Sequence, residues 1–155
     1  MTFQVAFYRG TRPGIPGIYN RLVRARGRGP HSHMELIFSD GLSGSSSFAD
    51  GGVRLKKIDY SEDRWDILDL PPEWEPYARR YVEARLGRKY DLMGNVHLMF
   101  GFLPDSSDRE FCSELGMGAL GFTQSFRYEP NAAYAIVLRA LEIHRSAGMQ
   151  LVPVI

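Results

Sequence analysis

The chain has 155 residues, 44% of them hydrophobic and 24% charged, with a formal net charge of +1. That length suits a single domain spanning residues 1–155 and able to bury its own core, and the composition excludes a disordered chain. The small net charge removes any general electrostatic case for nucleic acid or an anionic membrane as partner, and the lone cysteine, Cys112, excludes a disulfide framework and a zinc site of several thiolates.

The first residues, "MTFQVAFYRGTRPG", lack a charged region followed by a long apolar run, so no signal peptide is expected. No apolar run reaches the length of an integral membrane segment, and the chain is expected to be soluble and cytoplasmic as made. "TFQVAFYRG" alternates as a strand ending at Gly10. "GIPGIYNRLVRAR" places Ile15, Ile18, Tyr19, Leu22 and Val23 at helical spacing. Arg21, Arg24, Arg26 and Arg28 read as a solvated helix face and loop rather than a phosphate site. "HMELIF" followed by "SDG" predicts a strand and a turn, "GGVRLKKIDY" a second alternating strand, and "WDILDL" a third.

"PPEWEPYARRYVEARLG" opens with prolines suited to a helix entry and closes on Gly87, with Trp74, Tyr77, Ala78, Tyr81, Val82 and Leu86 on one stripe. "RKYDLMGNVHLMFGF" fits helix or strand equally. "PDSSDREFCSELGMGALG" reads as a loop and then a helix, with Cys112 in or near its first turn. "PNAAYAIVLRALEIH" is a helix with a proline entry, and "MQLVPVI" a closing strand. Helices and a mostly antiparallel sheet segregate along the chain, which predicts an α+β fold.

Cys112 carries the chemical question. The unsatisfied N–H groups and dipole of a helix N-terminus favour a thiolate, whereas a free cysteine is equally at home as a buried, inert side chain, and position alone leaves both readings open. A nucleophilic thiol needs a base, and the base needs a third group to orient it. Of four histidines, His97 lies in the apolar run "NVHLMF" and reads as a core residue, His144 as a residue of a helix C-terminus, and His31 as a solvated loop residue. His33 opens a strand on which His33, Glu35 and Ile37 share one face and Met34, Leu36 and Phe38 the other. The second face is apolar. The first is either the solvent side of a half-buried strand or a base beside a carboxylate. His31 and His33 form a His-x-His pair with no third ligand at a recognisable spacing, so neither a metal nor a cofactor is expected.

The succession "GPHSHMELIF", "RKYDLMG", "EFCSELG" resembles the circularly permuted branch of the papain-like NlpC-type superfamily, the branch that includes lecithin retinol acyltransferase and YiiX/YaeF-like bacterial proteins. Phe111, Cys112, Ser113, Glu114 and Leu115 match its cysteine motif. Ser32, His33 and Leu36 fit its histidine motif, and Gly87, Tyr90 and Asp91 are similar to a Gly-x-x-Tyr-Asp element ahead of the cysteine. In unpermuted members the cysteine helix precedes the histidine strand; here the strand comes first. The likeness covers roughly residues 30 to 122.

The resemblance implies a permuted papain-like fold with Cys112 as nucleophile, His33 as base and Tyr90 as an oxyanion donor; ordinary aromatic packing is the other reading of Tyr90. It places the orienting residue on the strand after the histidine strand, where "LSGSSSFAD" offers Ser45, Ser46, Ser47 and Asp50, although "DGG" at 50–52 reads more simply as a turn. Glu35 is nearer and shares the His33 face, so it is the residue favoured here, even though neighbours at i and i+2 sit about 6–7 Å apart and contact depends on rotamers. The expected function is a cysteine hydrolase cleaving an amide in a peptide or peptidoglycan stem peptide. The alternatives are a non-catalytic module of the same fold, or a lipid or thioester acyl hydrolase or acyltransferase.

Overall fold

The computed structural model describes residues 1–10, 21, 24–25, 28–61, 63–90 and 109–148. The helix expected around Ile15 lies almost wholly outside these residues, as do His97 and the closing strand "MQLVPVI". The elements are β1 (Gln4–Tyr8), β2 (His33–Ile37), β3 (Ser43–Ser47), β4 (Gly52–Lys56), β5 (Trp65–Asp69), α1 (Glu75–Glu83), β6 (Lys89–Tyr90), β7 (Arg109–Glu110), α2 (Cys112–Ala119) and α3 (Pro130–Ala147). The strands form one sheet in the order β5-β1-β2-β3-β4-β6-β7. All pairings are antiparallel except that of the two-residue strands β6 and β7. The fold is therefore α+β. Among the described residues no helix is long and apolar enough to cross a membrane.

Alternation decides what each strand buries. Phe3, Val5 and Phe7 from the β1 region join Met34, Leu36 and Phe38 from the β2 region on one face, and Leu115, Met117, Ala78, Val82, Val137 and Leu141 close over them from the helices. Each such Leu, Met or Phe contributes about 1.5–3 kcal/mol by leaving water. The opposite face of β2 is buried as well: Ala6, Tyr8, Ile37 and Trp65 form a second cluster beneath Tyr60. The reading of His33 and Glu35 as a solvent side fails for this reason: both are buried, and the side chains of Trp65 and Tyr60 pack on that face.

β3 carries little sequence signal, since "SGSSS" has no apolar period, yet all five of its residues are buried. Small side chains are what the place admits: a Cβ on Gly44 would come within 3.0 Å of Phe38 and Val82. The hydroxyls find partners, Ser45 donating to the Met34 carbonyl at 2.6 Å and Ser43 accepting from Tyr60 at 2.7 Å. In α2 the same economy of volume applies at Gly116 and Gly118, where a Cβ would run into Met34 and the Tyr81 ring. α2 thereby lies close against β2 and α1. One expectation for α1 is corrected: Leu86 is 47% exposed, because the helix ends at Glu83 and the chain turns away before Gly87.

Candidate active site

The site is assembled from β2, β4 and the N-terminus of α2. His33 starts β2, opposite Tyr8 of β1, with its ring 6.3 Å from that of Trp65. Its Nε2 lies 2.8 Å from Glu35 Oε1, so the rotamers bring the i and i+2 side chains together. An ionised carboxylate only accepts, which places a proton on Nε2. Cys112 acts on the same ring through its charge and through a side-chain hydrogen bond. Cys112 is the first residue of α2, after Phe111 in extended backbone, and is 5% exposed.

Glu35 has no exposed surface. Arg54 of β4 meets it with two nitrogens, Nη1 donating to Oε2 at 2.7 Å and Nη2 to Oε1. Arg54 is held in turn by Asp50, which accepts from its Nε at 2.9 Å and from Lys56 Nζ at 2.6 and 2.7 Å. Sequence reasoning missed Arg54, which looked like the polar side of an alternating strand. The signal that would have found it is Glu35 itself, since a carboxylate flanked by apolar residues on a central strand requires a cation.

The remaining candidates separate from this site. Ser45 turns to the Met34 carbonyl, and Asp50 serves Arg54 and Lys56 in a turn. Ser46 and Ser47 are buried in β3. The backbone of Tyr90 pairs with Glu110, two residues before Cys112, and its side chain lies outside what is described. His31 is not a solvated loop residue: it is 3% exposed, its Nε2 is 2.7 Å from Asp66 Oδ2, and its ring lies 4.3 Å from that of Tyr134. The His-x-His pair is thus divided between two carboxylates. Among the described residues no group of three or more His, Cys, Asp or Glu is placed to hold a metal. His144 sits in the last turn of α3 with Nε2 3.7 Å from Glu73.

Electrostatics couple the members. Burial, the largest influence on His33, disfavours its charged form, but the charge and hydrogen bond of Cys112 and then those of Glu35 outweigh it and raise the ring to about 9. Burial likewise pushes Glu35 up, and the hydrogen bonds from Arg54 and His33, with their charges, hold it below the usual carboxylate range. The stabilising contribution of His33 is therefore complete below its ordinary 6.5 and is lost as pH rises through about 9. That of Glu35 is present above its ordinary 4.5 and is lost as pH falls below it. The His33 part amounts to about 3 kcal/mol. The urea midpoint is expected to drop between about pH 6 and about pH 10, and a level midpoint across that window would refute the assignment.

Comparisons with family models, curated proteins and solved structures returned no match.

Proposed function

We propose that this chain is a cysteine hydrolase of the permuted papain-like type, cleaving an amide bond in a peptide or peptidoglycan stem peptide through an acyl-enzyme on Cys112. The observation that carries the reading is the Cys112–His33 contact, made between a helix N-terminus and a strand that precedes it in the chain. That order is the one the permuted arrangement requires. The packing of α2 against β2 and β3 of an antiparallel sheet supports the same fold.

In this mechanism His33 takes the thiol proton, giving a thiolate beside an imidazolium that Glu35 orients. The sulfur bonds to the acyl carbon as the carbonyl electrons move to oxygen. The backbone N–H of Cys112 belongs to the first turn of α2, where no intrahelical acceptor exists, and donates to that oxyanion. The Tyr90 hydroxyl is the second donor suggested by the resemblance. As the intermediate collapses, the C–N bond breaks and His33 hands its proton to the leaving amine. Water, deprotonated by His33, then attacks the acyl-enzyme, releasing the acid and restoring the thiol.

A second reading, a non-catalytic module of the same fold, is favoured by the cover over the pair, with Cys112 at 5% and His33 at 7% exposure. Incubation with peptide amides, activated esters and acyl thioesters, followed by intact-mass analysis, separates the readings. Amide turnover with an acyl adduct on Cys112, absent in Cys112→Ala, is the expected result. Turnover of esters and thioesters alone transfers the site to acyl-lipid chemistry, and no adduct with any of them leaves the scaffold.

A further inference from the structure

Among the described residues the side-chain partners of Arg54 are Glu35, Asp50 and the Ser43 carbonyl, the last at 3.4 Å, and neither Cys112 nor the His33 ring is one of them. Its side chain is 13% exposed and that of Glu35 is fully covered, so a guanidinium fork meets a carboxylate out of water. Such a pair costs desolvation on both sides and is weak evidence for stability. Its geometry has a chemical consequence for the neighbouring ring.

Without the guanidinium, Glu35 would be a buried carboxylate with His33 as its remaining partner. In a dry environment a neutral acid beside a neutral imidazole is preferred over a carboxylate beside an imidazolium, because neither group then bears an unsolvated charge. The proton between them would move to Glu35. The groups facing the pair are Cys112 from α2, Tyr8 from β1, Arg54 and Lys56 from β4, Asp50 from the β3–β4 turn, and Tyr60. Lys56 is neutralised by Asp50. Tyr60 has its hydroxyl hydrogen on the Ser43 oxygen, and burial followed by the Glu35 charge keeps it protonated. Arg54 is therefore the cation placed on the carboxylate itself.

We propose that Arg54 is a positioning residue for the Cys112–His33 pair: gripping both oxygens of Glu35, it keeps that group a carboxylate and so fixes the shared proton on the His33 ring. The inference rests on the cysteine-hydrolase reading above, in which His33 must carry that proton to the leaving group.

The test reads the proton directly. In protein labelled with nitrogen-15 at histidine, the His33 ring is expected to be an imidazolium at pH 7, and to become a neutral tautomer in Arg54→Met. Arg54→Lys, which retains the charge without the fork, should give an intermediate state and carries the test where the Met variant does not fold. Alkylation of Cys112 by iodoacetamide at pH 7 should fall about tenfold in Arg54→Met. Placed on Glu35→Gln, which has no carboxylate to receive the proton, Arg54→Met should change neither readout further. An imidazolium that persists in Arg54→Met and Arg54→Lys, or an equal effect in the Glu35→Gln background, overturns the inference while leaving the Cys–His pair intact. A neutral His33 in the unmodified protein overturns the inference; the hydrolase reading is judged separately, by the acyl adduct on Cys112.

Discussion

Alanine at position 33 is expected to slow alkylation of Cys112 by iodoacetamide at pH 6 about a hundredfold. About 0.3% of an ordinary cysteine is ionised at that pH, and the thiolate is the reacting form. In this protein the thiol meets a ring raised to about 9, a cation at pH 6 whose charge would favour ionised sulfur beside it. His33→Ala removes that cation and the hydrogen bond together. Cys112 should then behave as a free cysteine and react only toward alkaline pH. Peptide mapping of the alkylated protein at pH 6 and pH 9, compared between the two forms, checks it. Equal rates at pH 6 would mean that the imidazole does not activate the sulfur, and the hydrolase reading would fall with it.

Glu35→Leu is expected to destabilise the fold by about 3–5 kcal/mol, the largest stability effect foreseen at a single site. Two partners lose their acceptor at once: Arg54, 13% exposed at its side chain and left with Asp50 and a long contact to the Ser43 carbonyl, and the Nε2 proton of His33. The cost is that of an uncompensated buried charge, not the net worth of the pair. Adding Arg54→Met should therefore recover much of the loss, because the double variant buries neither ion. Urea unfolding of the single and double variants at pH 6 gives the comparison. A Glu35→Leu midpoint within experimental error of the parent would show that the carboxylate is not held as described.

The two variants divide the site by function. His33 governs the sulfur, and its loss should leave much of the fold; Glu35 and Arg54 govern the ring, and their separation should cost stability before chemistry. Lys56 and Asp50 extend the same chain of charges to the surface, where Asp50 is held down to about 2 against burial by Lys56 and Arg54. Solvent screens that outer end, so it contributes far less than the buried Glu35–Arg54 contact.

How far the site was legible depended on whether its residues are local partners. Alternation in "HSHMELIF" correctly separated Met34, Leu36 and Phe38 from His33, Glu35 and Ile37, because the period of a strand is a property of the backbone alone. The turn-forming residues ahead of Cys112 marked the start of α2 for a similarly local reason, although Arg109–Glu110 pair as β7 instead of belonging to the expected loop. β3 was illegible as a strand. Gly44 stands where Phe38 and Val82 leave a Cβ little room, and the Ser43 and Ser45 hydroxyls find partners in Tyr60 and the Met34 carbonyl, all from other segments. His31 was misread because its partners Asp66, Tyr134 and Asn131 are all distant in sequence.

From the order of residues alone came the α+β character, the start of the cysteine helix, and the face that His33 shares with Glu35; each follows from short-range periodicity and turn chemistry. Tertiary structure alone decided that this face would be covered, that Arg54 would clamp Glu35, and that the Cys112 side chain would reach the ring. Those outcomes depend on which strands become neighbours and how closely a glycine-bearing helix can settle on them, and such long-range geometry leaves no period in the chain.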